Sequence, residues 1–258
     1  MSKNSLTGGF RPEPYNPKHW SFELKLQPKL KADWADLSTF SSPRHHQLST
    51  SSCVAQATVK ALEILRNKKY GMENHIDLSI LMVYYLAREM MLPKETHWDN
   101  GTYISHAFEV LRRFGVCAEI LWPFDPKKVT ESPSWDAMRS AYSHKIHNYY
   151  QITATHKDRI DSVITAIQSG HPVVFGTAIG LNWFGYKKDQ VLKPVANADI
   201  RGRHATVIVD WDEERELFKG ENSWGLHWGD NGFYWMSPSY VAWSQSSDFW
   251  VPTMPWED

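Results

Sequence analysis

Glu221-Asn222-Ser223-Trp224-Gly225-Leu226-His227-Trp228-Gly229-Asp230-Asn231-Gly232-Phe233-Tyr234 is the stretch on which the reading of this sequence turns. Trp-Gly steps at 224–225 and 228–229 and a Gly-aromatic step at 232–233 mark reversals, after which an extended strand resumes over 232–236. A tryptophan-rich hairpin held by glycine turns accounts for the Trp and Gly residues. It does not account for Asn222 at the head of the run, in register with an upstream apolar strand that opens His204-Ala205.

Working outward, residues 51–67 carry Val54, Ala57, Val59, Ala61, Ile64 and Leu65 at helical spacings, followed by Lys68, Lys69 and Gly71. Cys53 therefore falls at the N-terminal end of a predicted helix, where backbone N–H groups and the macrodipole stabilise a thiolate. Taken singly, a cysteine is more often a small buried apolar residue, and a histidine is more often surface or satisfied core than catalytic. Helices are also predicted over 79–91 and over 105–114, the latter closed by Gly115. Beyond Trp135 the texture changes to short β-branched and aromatic runs at 172–176, 205–211, 217–220 and 232–236, interrupted by one helix over 159–169. The chain thus reads as α+β, helical first and then a small antiparallel sheet or barrel.

The 221–234 segment resembles the asparagine-centred signature of papain-like cysteine peptidases, in which Asn-Ser-Trp-Gly is followed by a second Trp-Gly and a Gly-aromatic pair. Other positions of the family pattern are met in order. Gln47 stands six residues before Cys53, Ser52 directly precedes it, and Asn100-Gly101-Thr102-Tyr103 resembles the edge that pairs with an extended substrate. The run from Gly115-Val116-Cys117 to Phe124-Asp125 is similar to bacterial members without disulfides. The likeness spans about residues 44–236. It departs at Leu48 and Ser51, where glycine is usual, at Val54, where an aromatic is common, and at Thr102, where the family has a second glycine.

The resemblance implies a two-lobe papain-like fold: an N-terminal arm or short pro-like segment (1–43), a helical left lobe with the nucleophile (44–140), and a β-barrel-like right lobe with His and Asn (141–258). The active-site cleft lies between the lobes. It implies a cysteine endopeptidase: Cys53 as a thiolate paired with a His204 imidazolium, Asn222 orienting the ring, Gln47 and the Cys53 N–H as oxyanion donors. Asn100, Gly101, Thr102 and Tyr103 would bind substrate, and Trp224 would shield the His–Asn bond. The alternatives are a catalytically weak or inactive peptide-binding protein, motivated by Leu48 and Ser51, and a Cys-His acyltransferase or amidase, against which Asn222 argues. Cys117 reads as structural.

Composition bounds the partners. The 258 residues hold 28 Lys plus Arg against 29 Asp plus Glu, a formal charge of -1, so no summed positive field favours nucleic acid or anionic membrane. The apolar runs fall short of the roughly 20 residues a spanning helix needs. The N-terminus lacks an apolar h-region, which points to a cytoplasmic protein or one delivered without a conventional signal peptide. With 2 cysteines, at most one disulfide could form. No cofactor and no metal are expected; a polypeptide substrate and a monomer are. Pro12, Pro14, Pro17 and Pro28 forbid a long helix in the arm, which is expected from about 8 to 34 to lie along or beside the cleft and reduce access, or else to pack across the back of a lobe.

Overall fold

The computed structural model describes residues 8–25 and 36–256, so residues 26–35 of the expected arm lie outside the described residues. The arm runs extended from Gly8, reverses in a turn closed by the His19 N–H on the Asn16 carbonyl, and reaches a single helical turn, α1 (Phe22–Lys25). The next helix, α2 (Cys53–Tyr70), is buried on nearly every side, Lys60 and Glu63 included. Its buried polar groups are paired, Lys60 with Glu63 and Asn67 with the Phe40 carbonyl, and α2 is the internal post against which the other layers pack. It ends where Gly71 adopts φ 87°, a conformation costly for any side chain.

Helices α3 (Ile80–Glu89) and α4 (Ile104–Arg113) pack on α2. Ser79 caps α3 by accepting from the Met82 N–H. In α4 the apolar stripe Ile104, Ala107, Phe108 and Leu111 faces inward while Arg112 and Arg113 complement the C-terminal dipole. All three helices begin or end within a few residues of their sequence-based bounds.

The remainder runs α5 (Trp135–Ser140), β1 (Asn148–Gln151), α6 (His156–Gln168), β2 (Val173–Gly180), α7 (Leu181–Phe184), β3 (Val191–Leu192), β4 (Ile200–Asp212), β5 (Leu217–Glu221), β6 (Phe233–Met236), α8 (Pro238–Val241) and β7 (Ser246–Thr253). Seven strands form one sheet in the order β1-β7-β2-β4-β5-β6-β3, antiparallel except for β3 beside β6. The short strands β1 and β3 stand at opposite ends of this order, so the sheet stays open. Of the two expected forms, sheet and barrel, the sheet is the one present.

Strand β2 is buried along its whole length and β4 over residues 204–211, and one hydrophobic core runs continuously from α2, α3 and α4 into β2, β4 and β7. The expected 205–211 strand is longer, because Ile200, Gly202, Arg203 and His204 also pair with β2. Strands β1 and β7 escape the sequence reading. Asn148–Gln151 is only half buried, and β7 opens Ser-Ser-Asp and contains Pro252. Among the described residues no helix is long and apolar enough to cross a membrane.

Candidate active site

Cys53 is the first residue of α2 and has no solvent exposure. Burial pushes its thiol up to about 12, against the pull of backbone N–H groups of Ala205, Val54 and Gly9 that point at the sulfur; the Asp99 carboxylate adds to the rise. Two of those donors are informative about position. Ala205 follows His204 on β4, and Gly9 belongs to the arm.

His204 is equally buried. Its Nε2 lies 2.7 Å from Asn222 Oδ1, an oxygen that also accepts from the Ser223 N–H at 2.8 Å. That second bond fixes the amide's orientation, so Nε2 must carry the proton and Nδ1 the lone pair. Nδ1 has no hydrogen-bond partner. Burial lowers the imidazole to about 4, with the Asn222 bond acting in the other direction. Trp224 lies 5.2 Å from the imidazole centroid, and Trp183, fully buried, meets it edge-on at 5.6 Å. Trp183 is also stacked on Trp228, whose indole N–H donates to its carbonyl, so the ring wall is continuous.

Gln47 is buried and doubly held. Its backbone N–H donates to Ser223 O at 2.8 Å, its Oε1 accepts from Ser223 Oγ at 2.9 Å, and its Nε2 donates one hydrogen to Thr50 O at 2.8 Å. One N–H remains. Leu48, where the family resemblance calls for glycine, adopts φ 53°, which explains why glycine suits that position. Ser51, the other departure, uses its N–H on both oxygens of Asp99, at 3.0 and 3.1 Å.

The edge Asn100 to Tyr103 is already paired. Thr102 N–H donates to Gly9 O at 3.0 Å and Arg11 N–H donates to Thr102 O at 3.2 Å, a parallel bridge that centres Phe10 on Thr102. Gly101 adopts φ 74°, and a Cβ there would overlap the Gly9 carbonyl, so this glycine serves the close approach of the two chains. Phe10 is 2% exposed, its ring lying where a Cβ on Gly176 would be. Farther along, Arg11 meets Glu95, Glu13 N–H reaches Asp248, the Trp20 carbonyl accepts from Gln151 N–H, and Phe22 enters the core. Gly8 to Arg11 thus cross Cys53 and the Thr102 edge, as the first expected placement has it, and Trp20 to Phe22 pack at the β1 end of the sheet.

The structure thus gathers Cys53, His204, Asn222, Gln47, Trp224 and the edge from Asn100 to Tyr103 into one connected region, with the Cys53 sulfur meeting the Ala205 and Gly9 N–H groups and making no hydrogen bond to His204 Nδ1. Cys117 sits elsewhere, in a satellite cluster with Met82, Ala137 and Ala141, its thiol pushed up to about 11 by burial. Glu63, His75 and Asp77 bring potential ligand atoms within 4.8 Å of one another. The Glu63 oxygens, however, already accept from Ser42, His45 and the Leu78 N–H and pair with Lys60, so this carboxylate reads as the centre of an internal ion pair. Sequence reasoning missed Phe10, Trp183 and Asp99. The aromatic-rich turn 181–186 between two strands was a signal for Trp183; nothing local marked the others.

A sequence profile for the papain family of cysteine proteases matches residues 29–247. A peptidase C1-like protein of Acanthamoeba polyphaga mimivirus is 32% identical over 213 residues, covering 80% of this chain and 68% of the viral protein. Among solved structures, xylellain, a cysteine protease from Xylella fastidiosa, superposes with a TM-score of 0.78 at 24% identity over 98% of both chains. A digestive procathepsin L2 of Tenebrio molitor gives 0.76 at 17% identity, covering 97% of this chain and 79% of its own.

Proposed function

Because the chain belongs to the papain family of cysteine proteases, we propose that it is a cysteine endopeptidase that cuts extended polypeptides and is held shut by its own N-terminal arm. The observation that carries this reading is the His204–Asn222 bond, which leaves Nδ1 as an unpartnered base one residue from the Ala205 N–H that touches the Cys53 sulfur.

In the open enzyme the thiol proton passes to His204 Nδ1 and the sulfur attacks the scissile carbonyl carbon. The resulting oxyanion is received by the free Gln47 Nε2 hydrogen and the Cys53 N–H. Each such donor is worth about 3 kcal/mol in the transition state. The imidazolium then protonates the departing amine, and water, deprotonated by the same ring, releases the acid from the thioester. Asn222 holds the ring in the required tautomer throughout, and Trp183 and Trp224 keep water from that bond.

With the arm in place the pair is disarmed. Burial disfavours both the thiolate and the imidazolium. Gly9 presents its N–H to the sulfur and gives its carbonyl to Thr102, so the arm occupies both the face of Cys53 and the edge. Displacing residues 8–11 admits water and frees the edge for β-type pairing with a substrate.

The same closure supports a second reading, a peptide-binding protein without turnover. Iodoacetamide labelling with peptide mapping, alongside cleavage of a diverse peptide library, separates the two. Selective modification of Cys53 over Cys117 near neutral pH in a Phe10→Ala variant, together with library cleavage, is the expected outcome; labelling of neither thiol with no cleavage leaves only the binder.

A further inference from the structure

The loop that carries the oxyanion donor and the edge that pairs with substrate come from distant parts of the chain, and one carboxylate joins them. Asp99, immediately before the edge, accepts the Ser51 N–H on both oxygens at 3.0 and 3.1 Å. Tyr84 Oη donates to Asp99 Oδ1 at 2.5 Å and accepts the Gly101 N–H at 3.0 Å. Tyr84 is fully buried on α3, and the Arg88 guanidinium lies 3.9 Å over its ring while donating to the carbonyls of Trp98 and Val129. A buried cation thus pins the residue before Asp99, a phenol pins the carboxylate, and the carboxylate pins the residue two before the nucleophile.

The far end of the same loop is fixed as well. Thr50 Oγ1 donates to Gln47 O at 2.7 Å and Gln47 Nε2 donates to Thr50 O, closing residues 47–50 on themselves. Gln47 is tied to Ser223, the neighbour of Asn222. A run of hydrogen bonds, with the Thr50–Ser51 peptide bond as one step, therefore leads from Ser223 through Gln47 and Thr50 to Ser51, Asp99, Tyr84 and Gly101. Asp99 is the step that carries it across to the substrate edge.

Resting on the peptidase reading above, we propose that Asp99, gripped by Tyr84, is a positioning residue that sets the separation between the oxyanion loop and the substrate edge, and so governs the chemical step. Its charge is required because a carboxylate accepts from Ser51 on both oxygens and still receives the phenol. An asparagine has one acceptor and turns an NH2 toward another donor.

The test compares Asp99→Asn and Tyr84→Phe in the full-length chain carrying Phe10→Ala, with the parent measured first. Expected in Asp99→Asn are a kcat lower by about tenfold or more, a smaller change in KM, and a melting temperature within a few degrees of the parent's. Tyr84→Phe, which keeps the carboxylate on Ser51, is expected to lose less kcat. Amide exchange at Ser51 and Gly101, read by NMR, is expected to quicken together in Asp99→Asn. A fall in melting temperature with kcat preserved overturns the proposal, and so does quickened exchange at Ser51 alone. If the parent neither labels nor cleaves, the peptidase reading fails separately, and the exchange pattern still decides whether Asp99 couples the two segments.

Discussion

His204 and Cys53 are held in position by different means. Around His204 the support is made of rings: Trp183, Trp224, Trp228, Tyr234 and Tyr240 pack against one another behind a sheet strand paired on both sides. Around Cys53 the support is made of polar links, namely the Gln47–Thr50 turn, the Asp99 grip on Ser51 and the N–H of Gly9. Close-packed aromatic surface resists displacement because any shift opens a void. Hydrogen bonds to a loop and to a separate arm yield one at a time. The surroundings of His204 are built to stay, and those of Cys53 are built to change.

If that contrast is right, the largest loss comes from the rigid side. Asn222→Ala removes the acceptor that fixes the tautomer of a buried imidazole, and kcat is expected to fall at least about 100-fold, by analogy with loss of the orienting group in other triads. Steady-state kinetics on a peptide substrate in the Phe10→Ala background measures it. Arm docking, read as amide exchange at Thr102, whose N–H donates to Gly9 O, in an Asn222→Ala chain with Phe10 intact, should be unchanged. Exchange at Thr102 quickened as much as turnover is slowed would show the two sides to be one mechanical unit.

The second test acts on the yielding side. Phe10 is buried against Gly176, and full burial of such a side chain stabilises by roughly 1.5–3 kcal/mol. Phe10→Ala is therefore expected to raise the labelling rate of Cys53 by about 10- to 100-fold. Gly176→Ala should act in the same direction from the opposite surface, since its Cβ would occupy the space of the Phe10 ring. Truncating the arm is a blunter tool, because Phe22 belongs to the core. Unchanged labelling in both variants would mean that Phe10 does not hold the gate.

The same contrast explains what the sequence disclosed. The rigid side is local: Asn222, Ser223, Trp224 and Trp228 stand in one short run, and turn glycines set their register. The α2 spacing of Val54, Ala57, Ala61, Ile64 and Leu65, with Lys68, Lys69 and Gly71 at its end, placed Cys53 at the first turn. Phe10 and Asp99 carried no such mark, since their partners Gly176 and Ser51 lie 166 and 48 residues away in the chain. A lone Phe in a proline-rich arm and a lone Asp before Asn-Gly have no period to read. Strand β7 was illegible for a related reason, its Ser-Ser-Asp opening being stabilised by pairing with β2 rather than by its own side chains.

The smallest expected effect concerns how firmly the arm is held at different pH. Glu13 is raised to about 7 by burial, which outweighs the Ser105 hydroxyl, with Asp248 adding to the rise. Asp248 itself is raised by burial, partly offset by Ser247, the Glu13 N–H, Arg159 and Arg203. A carboxyl whose docked value is raised favours docking below its ordinary value and loses that contribution as pH climbs through about 7. His19, 3.8 Å from Glu13, is lowered by burial against a Gln151 bond, so it pulls the other way, weakening docking as pH falls below its ordinary value. Glu13 carries the larger shift and prevails. Labelling of Cys53 in the full-length chain should therefore quicken between about pH 5 and 8 by more than titration of the thiol alone provides. Glu13→Gln, neutral at every pH, is expected to keep the arm docked and to slow labelling several-fold at pH 8 while leaving it nearly unchanged at pH 5. An equal effect at both values would place the pH response outside the arm.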